Sequence, residues 1–345
     1  MSALTDPPHA NLVDVLAPHG ARHTAPGHAV SGHAAPRHAS LAHARTLTTT
    51  VPREYVHRSA VSEVLLTGWR PAAGDAATPR FTVRAQWPRA HTLFSCVRGQ
   101  QDPMMIVESV RQIGALLAHA EFGVPFGHHF MMDEIAFAAE PALLAAQATP
   151  TEVELRTVCR PQTRPGGKLT GMRYDVVIVR EGRELGTAHA AFQCLTPVVH
   201  RRLRGERPTT TTRPLPPAAA RASVGRLCDL DVLLAQPQEM GCLRWELRVD
   251  TAHPTFFDHP VDHVPGMVLL EAARQAARAS AGAPDLLLLT LDSRFLRYVE
   301  LDAPCWIEVT SVERRDQGQA LVRVCGVQGG ERVFTADLAL QAHTA

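Results

Sequence analysis

Two stretches of almost continuous apolar residues, one in each half of the chain, carry the same short polar motif. Each begins at a proline, Pro103 or Pro265, and continues through a few apolar residues into Glu-x-x-Arg-Gln. Proline favours the first turn of a helix, and Gly123 is typical of a helix end. The pattern therefore predicts helices over residues 103–122 and 265–279, both apolar on nearly every face and so central in their domains.

The repeated motif places three polar side chains on one face of each predicted helix, because positions i, i+3 and i+4 are neighbours there. These side chains are Glu108, Arg111, Gln112, Glu271, Arg274 and Gln275. A carboxylate and a guanidinium are costly inside an apolar helix unless they bind each other or a polar ligand. The six residues are therefore candidate site residues, and a plain i,i+3 salt bridge in each helix is the alternative interpretation.

Segments with the composition of strands surround both helices. The predicted strands span residues 61–66, 81–87, 130–137, 152–160, 168–180, 183–195, 241–250, 286–291, 303–313, 319–327 and 332–340. One long buried helix followed by long antiparallel strands, twice over, predicts an α+β fold. A sheet wrapped around a single central helix is the hot-dog fold. We therefore expect two tandem hot-dog domains that form a pseudo-dimer.

Changes in composition along the chain predict its domain boundaries. The first 50 residues are rich in His, Ala and Pro and have few apolar anchors, which predicts a disordered tail. Arg, Pro and Thr crowd residues 201–217 and predict an exposed linker. We expect a tail over residues 1–50, hot-dog domains over 51–204 and 226–345, and a linker over 205–225.

Composition excludes several classes of function. The net charge is +1, so bulk electrostatics gives no reason to expect nucleic acid or a membrane surface as a partner. No apolar run approaches the roughly 18 residues of a membrane span. The seven cysteines form no Cys-x-x-Cys pair, which is typical of reduced thiols in a cytoplasmic protein. We predict no metal site in the loop over residues 253–263, although it is rich in His and Asp.

The segment over residues 256–266 reads FFDHPVDHVPG and leads into the second helix. It resembles the active-site segment of hot-dog 3-hydroxyacyl-carrier-protein dehydratases, in which a loop histidine precedes a Pro-Gly helix start and an acidic residue follows in the helix. His259 and Glu271 occupy similar places, although the loop is shorter. The first half departs further, because no histidine lies between Phe94 and Glu108.

A closer resemblance covers nearly the whole chain from Val56 onward. Its motifs are Val56-His57-Arg58, Glu63-Val64, Leu66-Thr67, residues 85–89 (AQWPR), Glu108-x-x-Arg111-Gln112, residues 117–125 (LAHAEFGVP), residues 171–174 (GMRY), residues 201–206 (RRLRGE) and residues 258–275 (DHPVDHVPGMVLLEAARQ). Together they resemble the A-factor biosynthesis family, the tandem hot-dog synthases of γ-butyrolactone and butenolide signals in actinomycetes. Only the N-terminal tail lies outside the resemblance.

The resemblance implies an acyl transfer. Members of the family move a 3-oxoacyl group from a thioester, on acyl carrier protein or coenzyme A, to a hydroxyl of dihydroxyacetone phosphate. The ester then closes to a butenolide phosphate, and no cofactor is implied. Such a transfer needs a base for the attacking hydroxyl and donors that stabilise the oxyanion.

Roles for the candidate residues follow from that chemistry. Burial of Glu108 in an apolar helix predicts a raised pKa, which would suit a base. Arg274 or Arg111 is expected to hold the phosphate or the developing negative charge. Glu108 and Arg274 are the first pair expected to act together, one from each half. Backbone N–H groups near Gly266 are further candidate anion donors, and Glu271 is the alternative base. The remaining candidates for substrate binding are Gln112, Gln275 and His259, the last also as an acid or base.

Two other interpretations stay open. One is a hot-dog dehydratase or thioesterase that acts on acyl-carrier thioesters, and the other is a non-catalytic protein that binds an acyl chain or lactone and regulates a process. The loop without histidine in the first half counts against a dehydratase. The paired Glu and Arg side chains count against a passive binder, since an apolar pocket gains no affinity for an acyl chain from ionised side chains. Pairing of two chains into a homodimer also stays open.

Overall fold

The computed structural model describes residues 48–75, 77–211, 213–237, 239 and 241–342. Most of the predicted tail, residues 1–47, lies outside this part of the chain. The strands are β1 (Leu66–Ala72), β2 (Arg80–Trp87), β3 (His129–Ala139), β4 (Thr151–Thr163), β5 (Leu169–Arg180), β6 (Arg183–Leu195), β7 (Arg244–Glu246), β8 (Leu287–Phe295), β9 (Cys305–Arg315), β10 (Gln319–Gln328) and β11 (Glu331–Gln341). The helices are α1 (Met104–Ala120), α2 (Pro197–Arg204), α3 (Arg221–Val224) and α4 (Gly266–Ala281).

All of these strands belong to one antiparallel sheet in the order β1-β2-β4-β5-β6-β3-β8-β11-β10-β9-β7. Strands β3 and β8 pair at its centre, from Glu134 opposite Arg294 to Ala138 opposite Thr290. The Ser293 hydroxyl adds a hydrogen bond of 2.6 Å to a backbone carbonyl of β3. The strand order is similar on either side of this junction, so the two halves join as the two subunits of a hot-dog dimer would.

The two long helices lie against the sheet and are buried along most of their length. Helix α1 packs on β3, β5 and β6, and α4 packs on β9, β10 and β11. Gly114 permits the close approach of α1, because a Cβ atom there would lie 2.7 Å from the hydroxyl of Tyr174. That hydroxyl donates to the carbonyl of Val110 at 2.7 Å. The predicted α+β class and tandem hot-dog architecture are confirmed.

The prediction of a strand over residues 61–66 is wrong. Val61–Glu63 forms a turn of 3-10 helix, and β1 begins at Leu66. The side chain of Gln112 explains the difference, since it donates to the carbonyl of Glu63 and accepts from the N–H of Leu65. Those backbone groups are therefore unavailable to a neighbouring strand.

The exposed linker predicted over residues 201–217 is wrong at its start, because α2 extends into it. Arg204, the last residue of α2, is buried and binds Asp262 and Glu300 of the second half. Its guanidinium also lies over the ring of Tyr298, 4.2 Å from the centroid. Helix α2 therefore ties the first half to the loop that precedes α4. The domain boundaries at residues 51–204, 205–225 and 226–345 stay a prediction.

No helix among the described residues has both the length and the apolar character needed to cross a bilayer.

Candidate active site

The two Glu-x-x-Arg-Gln motifs form the centres of two ionic clusters that are related by the pseudo-symmetry of the fold. In the first, the buried carboxylate of Glu108 accepts hydrogen bonds from Arg111 and Gln112 on the same helix, at 2.7 and 2.6 Å. It also binds Arg58, which lies before α1, at 2.7 Å. We call this group, together with Asp258, the open cluster.

The second group is built in the same way around Glu271. Its carboxylate accepts from Arg274 at 2.8 Å and from Gln275 at 2.7 Å, and Arg226 takes the place of Arg58 at 2.8 Å. The guanidinium of Arg274 also binds Asp102. We call these five residues the closed cluster.

Each cluster is assembled from both halves of the molecule. Arg58 donates to the carbonyl of Thr255 at 2.9 Å, in the loop before α4. Arg226 donates to the carbonyl of Leu93 at 2.7 Å, in the corresponding loop before α1. The expectation that both halves contribute to one site therefore has a structural basis. Glu108 and Arg274, however, lie in different clusters and do not form a pair.

The two glutamines hold the backbone that precedes the first strand of each half. Gln112 bridges residues 63 and 65, and Gln275 bridges residues 231 and 233 in the same manner. Each amide N–H₂ group also donates to the glutamate of its own motif. The hydrogen-bonding capacity of both side chains is largely used in this way, which favours a structural role over the predicted substrate contact.

Exposure separates the two clusters. The side chain of Arg274 is 1% exposed and that of Glu271 is fully buried, so a substrate would have to displace Asp102 to reach the guanidinium. In the open cluster the side chain of Arg111 is 23% exposed. Arg111 uses Nε and Nη2 to bind Glu108, and its Nη1 has no partner among the described residues. Arg111 is the most exposed of the four arginines in the two clusters, since the other three side chains are 7% exposed or less.

The open cluster also holds an Asp–His pair from the second half. The side chain of Asp258 is 2% exposed, and its carboxylate accepts from the N–H of Ser59 at 2.8 Å and lies 3.7 Å from Arg58. It also binds Nδ1 of His259 at 2.6 Å. Because a carboxylate accepts, Nδ1 carries the hydrogen, and in the neutral form of the ring the lone pair is on Nε2. The His259 side chain is 41% exposed, so this imidazole is accessible at the surface next to the carboxylate that faces Arg58.

The expectation of a raised pKa for Glu108 is wrong. Burial alone raises the pKa of this carboxyl, but Arg111 and Arg58 outweigh burial, and the pKa falls to about 2. The pKa of Glu271 is lowered in the same way, because Arg226 and Arg274 together outweigh burial. Both glutamates are therefore ionised anchors for arginine, which makes them poor general bases at neutral pH.

Sequence reasoning missed three of the residues that complete these clusters, namely Arg58, Arg226 and Asp258. A second internal repeat would have found the arginines. Arg58 and Arg226 are each followed, five positions later, by an acidic residue, Glu63 or Asp231, and then by Val-Leu-Leu. Asp258 directly precedes His259, and an acidic neighbour is a common partner of a catalytic histidine.

Two further predictions concern the start of α4 and a metal site. Gly266 begins α4, and the ring of Phe295 lies 3.1 Å from where its Cβ would be, so an anion-binding role there stays a prediction. Within the described residues, no group of three or more His, Cys, Asp or Glu side chains is placed to hold a metal ion.

A cavity of about 250 Å³ lies beside α4 and is lined by Phe256, Phe257 and Val268. A wider concavity, on the sheet at the junction of the halves, has no residue of either cluster in its lining.

Comparison with known proteins gives the family. The model of the A-factor biosynthesis hotdog domain matches residues 39–196 and again 208–343. A 2-oxo-3-(phosphooxy)propyl 3-oxoalkanoate synthase of Streptomyces virginiae is 48% identical over 84% of this chain and 97% of its own length. The protein of the same name from Streptomyces coelicolor is 40% identical over 84% of this chain and 90% of its own.

Among solved structures, a 12:0-ACP thioesterase from Umbellularia californica covers 75% of this chain and 94% of its own, with a TM-score of 0.46 and 11% identity. Both halves of the chain match the family model, and relatives well above 30% identity extend over most of its length. The chain therefore belongs to the family defined by the A-factor biosynthesis hotdog domain.

Proposed function

We propose that this protein is a 2-oxo-3-(phosphooxy)propyl 3-oxoalkanoate synthase of γ-butyrolactone biosynthesis. It transfers a 3-oxoacyl group from a thioester to a hydroxyl of dihydroxyacetone phosphate. The identity with the Streptomyces virginiae synthase, over 97% of that protein, supports the assignment. The observation that carries the chemistry is the open cluster, in which a half-exposed His259, oriented by Asp258, stands beside arginines anchored by Glu108.

In the proposed reaction His259 is the general base. Its Nε2 takes the proton of the attacking hydroxyl while the new C–O bond forms at the thioester carbonyl. The tetrahedral intermediate then collapses, the C–S bond breaks, and the proton passes from His259 to the departing thiolate. Asp258 keeps Nδ1 protonated and stabilises the imidazolium that forms between these steps.

Arg111 supplies the anion contact in this proposal. Its half-buried guanidinium is held by two hydrogen bonds to Glu108, so the side chain is already ordered before a ligand arrives. The free Nη1 group offers two N–H donors to a phosphate or to the oxyanion of the intermediate. Glu108 then acts by positioning Arg111 and Arg58, and the closed cluster acts as a structural counterpart without a substrate.

The finer assignments belong to the same proposal. The donor is a thioester of acyl carrier protein or of coenzyme A, and the acceptor is dihydroxyacetone phosphate. The protein works in the cytoplasm, where such thioesters are made. Its seven cysteines are all free thiols, which agrees with a reducing compartment.

The test is an incubation of the purified full chain with a 3-oxoacyl N-acetylcysteamine thioester, with and without dihydroxyacetone phosphate. Thiol release is measured with a thiol-reactive colorimetric reagent, and the ester is identified by mass spectrometry. We expect thiol release that depends on the triose phosphate, with one ester formed per thiol. Equal release without the acceptor would assign a thioesterase, and loss of water from a 3-hydroxyacyl thioester would assign a dehydratase. Binding of the thioester without any turnover would assign a regulator.

A further inference from the structure

His57, directly before Arg58 of the open cluster, has a backbone conformation that L residues rarely adopt. Its φ is 53°, in the left-handed region. The corresponding residue of the second half is Gly225, with φ 69°, directly before Arg226 of the closed cluster. Glycine takes this conformation without steric strain. The open cluster therefore keeps a histidine where the backbone alone would favour glycine, and strain of this kind concentrates at functional sites.

The ring of His57 is held in a defined tautomer. His119 on α1 bonds through Nδ1 to the carbonyl of Val124 at 2.7 Å, and a carbonyl can only accept, so this Nδ1 carries the hydrogen. Burial lowers the pKa of both histidines, that of His57 to about 3, so both rings are neutral at pH 7. Nε2 of His119 then holds the lone pair of its ring and accepts a hydrogen bond from the Nε2–H group of His57, with 2.7 Å between the two nitrogens. The lone pair of His57 is therefore on Nδ1.

That lone pair has no hydrogen-bond partner among the described residues, although the rest of the ring is well packed. The His57 ring lies 4.9 Å from the ring of Phe130 and 5.0 Å from that of His119, measured between centroids. The second half has glycine at both matching positions, Gly225 and Gly282, so the histidine pair accompanies only the open cluster. Arg58 and Arg111 bring only donors to this cluster. The lone pair of His259 takes the hydroxyl proton in the proposed reaction, so an amide N–H of the substrate needs a further acceptor.

Building on the proposed function, we propose that His57 is a substrate-binding residue whose neutral Nδ1 accepts a hydrogen bond from an amide N–H of the pantetheine arm that carries the acyl group. Dihydroxyacetone phosphate has a single hydroxyl, and that hydroxyl gives its proton to His259 in the proposed reaction. It therefore cannot donate to His57 as well, and the amide of the thioester substrate is the donor that remains.

The test compares His57→Gly and His57→Asn with wild type in steady-state kinetics, varying each substrate in turn. His57→Gly places the residue of the second half at this position and removes the strain, so we expect a melting temperature close to wild type. Loss of one hydrogen bond should raise the KM of one substrate about fivefold to tenfold. Asparagine tolerates the left-handed region and offers an acceptor near the position of Nδ1, so His57→Asn should recover most of that loss.

A matched control separates the side chain from the backbone. Glu181 also has positive φ, in the turn between β5 and β6, so Glu181→Gly removes strain there and should leave both KM values unchanged. A rise in the KM of the N-acetylcysteamine thioester, which keeps one amide of the pantetheine arm, supports the inference. A rise confined to the KM of dihydroxyacetone phosphate would overturn it. Wild-type KM values in His57→Gly would overturn the inference, as would an effect that His57→Asn does not reduce. A wild type that makes no ester would instead refute the proposed function.

Discussion

The same substitution of glutamate by glutamine can be made in each cluster. We expect the variant of the closed cluster to lose mainly stability and the variant of the open cluster to lose mainly activity. Glu271→Gln removes the carboxylate of the closed cluster and leaves Arg226 and Arg274 without it in a fully buried place. Removing one partner of a buried ion pair destabilises a protein by about 3–5 kcal/mol. In a folded unit of almost 300 residues that loss lowers the melting temperature by roughly 5–8 °C. Since no substrate reaches this cluster in our proposal, kcat/KM should stay close to wild type below the transition.

Glu108→Gln makes the same chemical change in the open cluster. The Arg111 side chain is 23% exposed, so water replaces part of the lost interaction, and we expect a smaller loss of about 1–3 kcal/mol. The activity should fall much further. Arg58 and Arg111 lose the carboxylate that positions them, and a displacement of about 1 Å in an active site lowers rates on the order of 100-fold.

Thermal unfolding followed by circular dichroism, and ester formation measured well below the transition, give the two readouts for each variant. The reasoning is refuted if Glu271→Gln is as inactive as Glu108→Gln while it unfolds like wild type. It is equally refuted if Glu108→Gln keeps full activity. Either result would move the chemistry away from the open cluster.

Three further outcomes are expected. His259→Gln should lower kcat by about 100-fold or more without changing the melting temperature, because it removes the base; unchanged kcat would place the base elsewhere. The folded state holds His57 neutral with a pKa near 3, whereas the unfolded chain binds a proton near pH 6.5. The free energy of unfolding should therefore fall as the pH is lowered from 6.5 towards 3, and His57→Asn should make this slope shallower in urea titrations. Gly114→Ala places a methyl group 2.7 Å from the Tyr174 hydroxyl and should destabilise the protein by about 1–3 kcal/mol, measurable as a lower urea midpoint with an unchanged m-value; a wild-type midpoint would show that α1 moves freely.

The central helices and the antiparallel sheet were predictable because their signals are local. The apolar residues around Glu108 and Glu271 define α1 and α4 within two residues at each end. The strand predicted over residues 61–66 failed for a tertiary reason, since the amide that binds this backbone comes from Gln112. No local pattern reports such a contact.

The candidate site was predictable in its composition but not in its connections. Burial of Glu108 can be anticipated from its apolar neighbours, and burial alone suggested a raised pKa. Arg111 and Arg58 together reverse that shift, and Arg58 lies fifty positions earlier in the chain. Likewise, the repeat suggests two equivalent motifs, whereas the side chain of Arg111 is 23% exposed and that of Arg274 is 1% exposed. The two Glu-x-x-Arg-Gln motifs therefore have the same pattern in sequence but differ in solvent accessibility.

The pairing of β3 with β8 joins the two halves within a single polypeptide. In an assembly of two identical chains, any substitution appears at both sites simultaneously, so neither site can specialise alone. Covalent continuity removes that constraint. One copy of the glutamate–arginine arrangement can serve as an internal brace, with its Arg274 bound by Asp102. The other copy can carry His57 where its counterpart has glycine and leave Arg111 partly exposed.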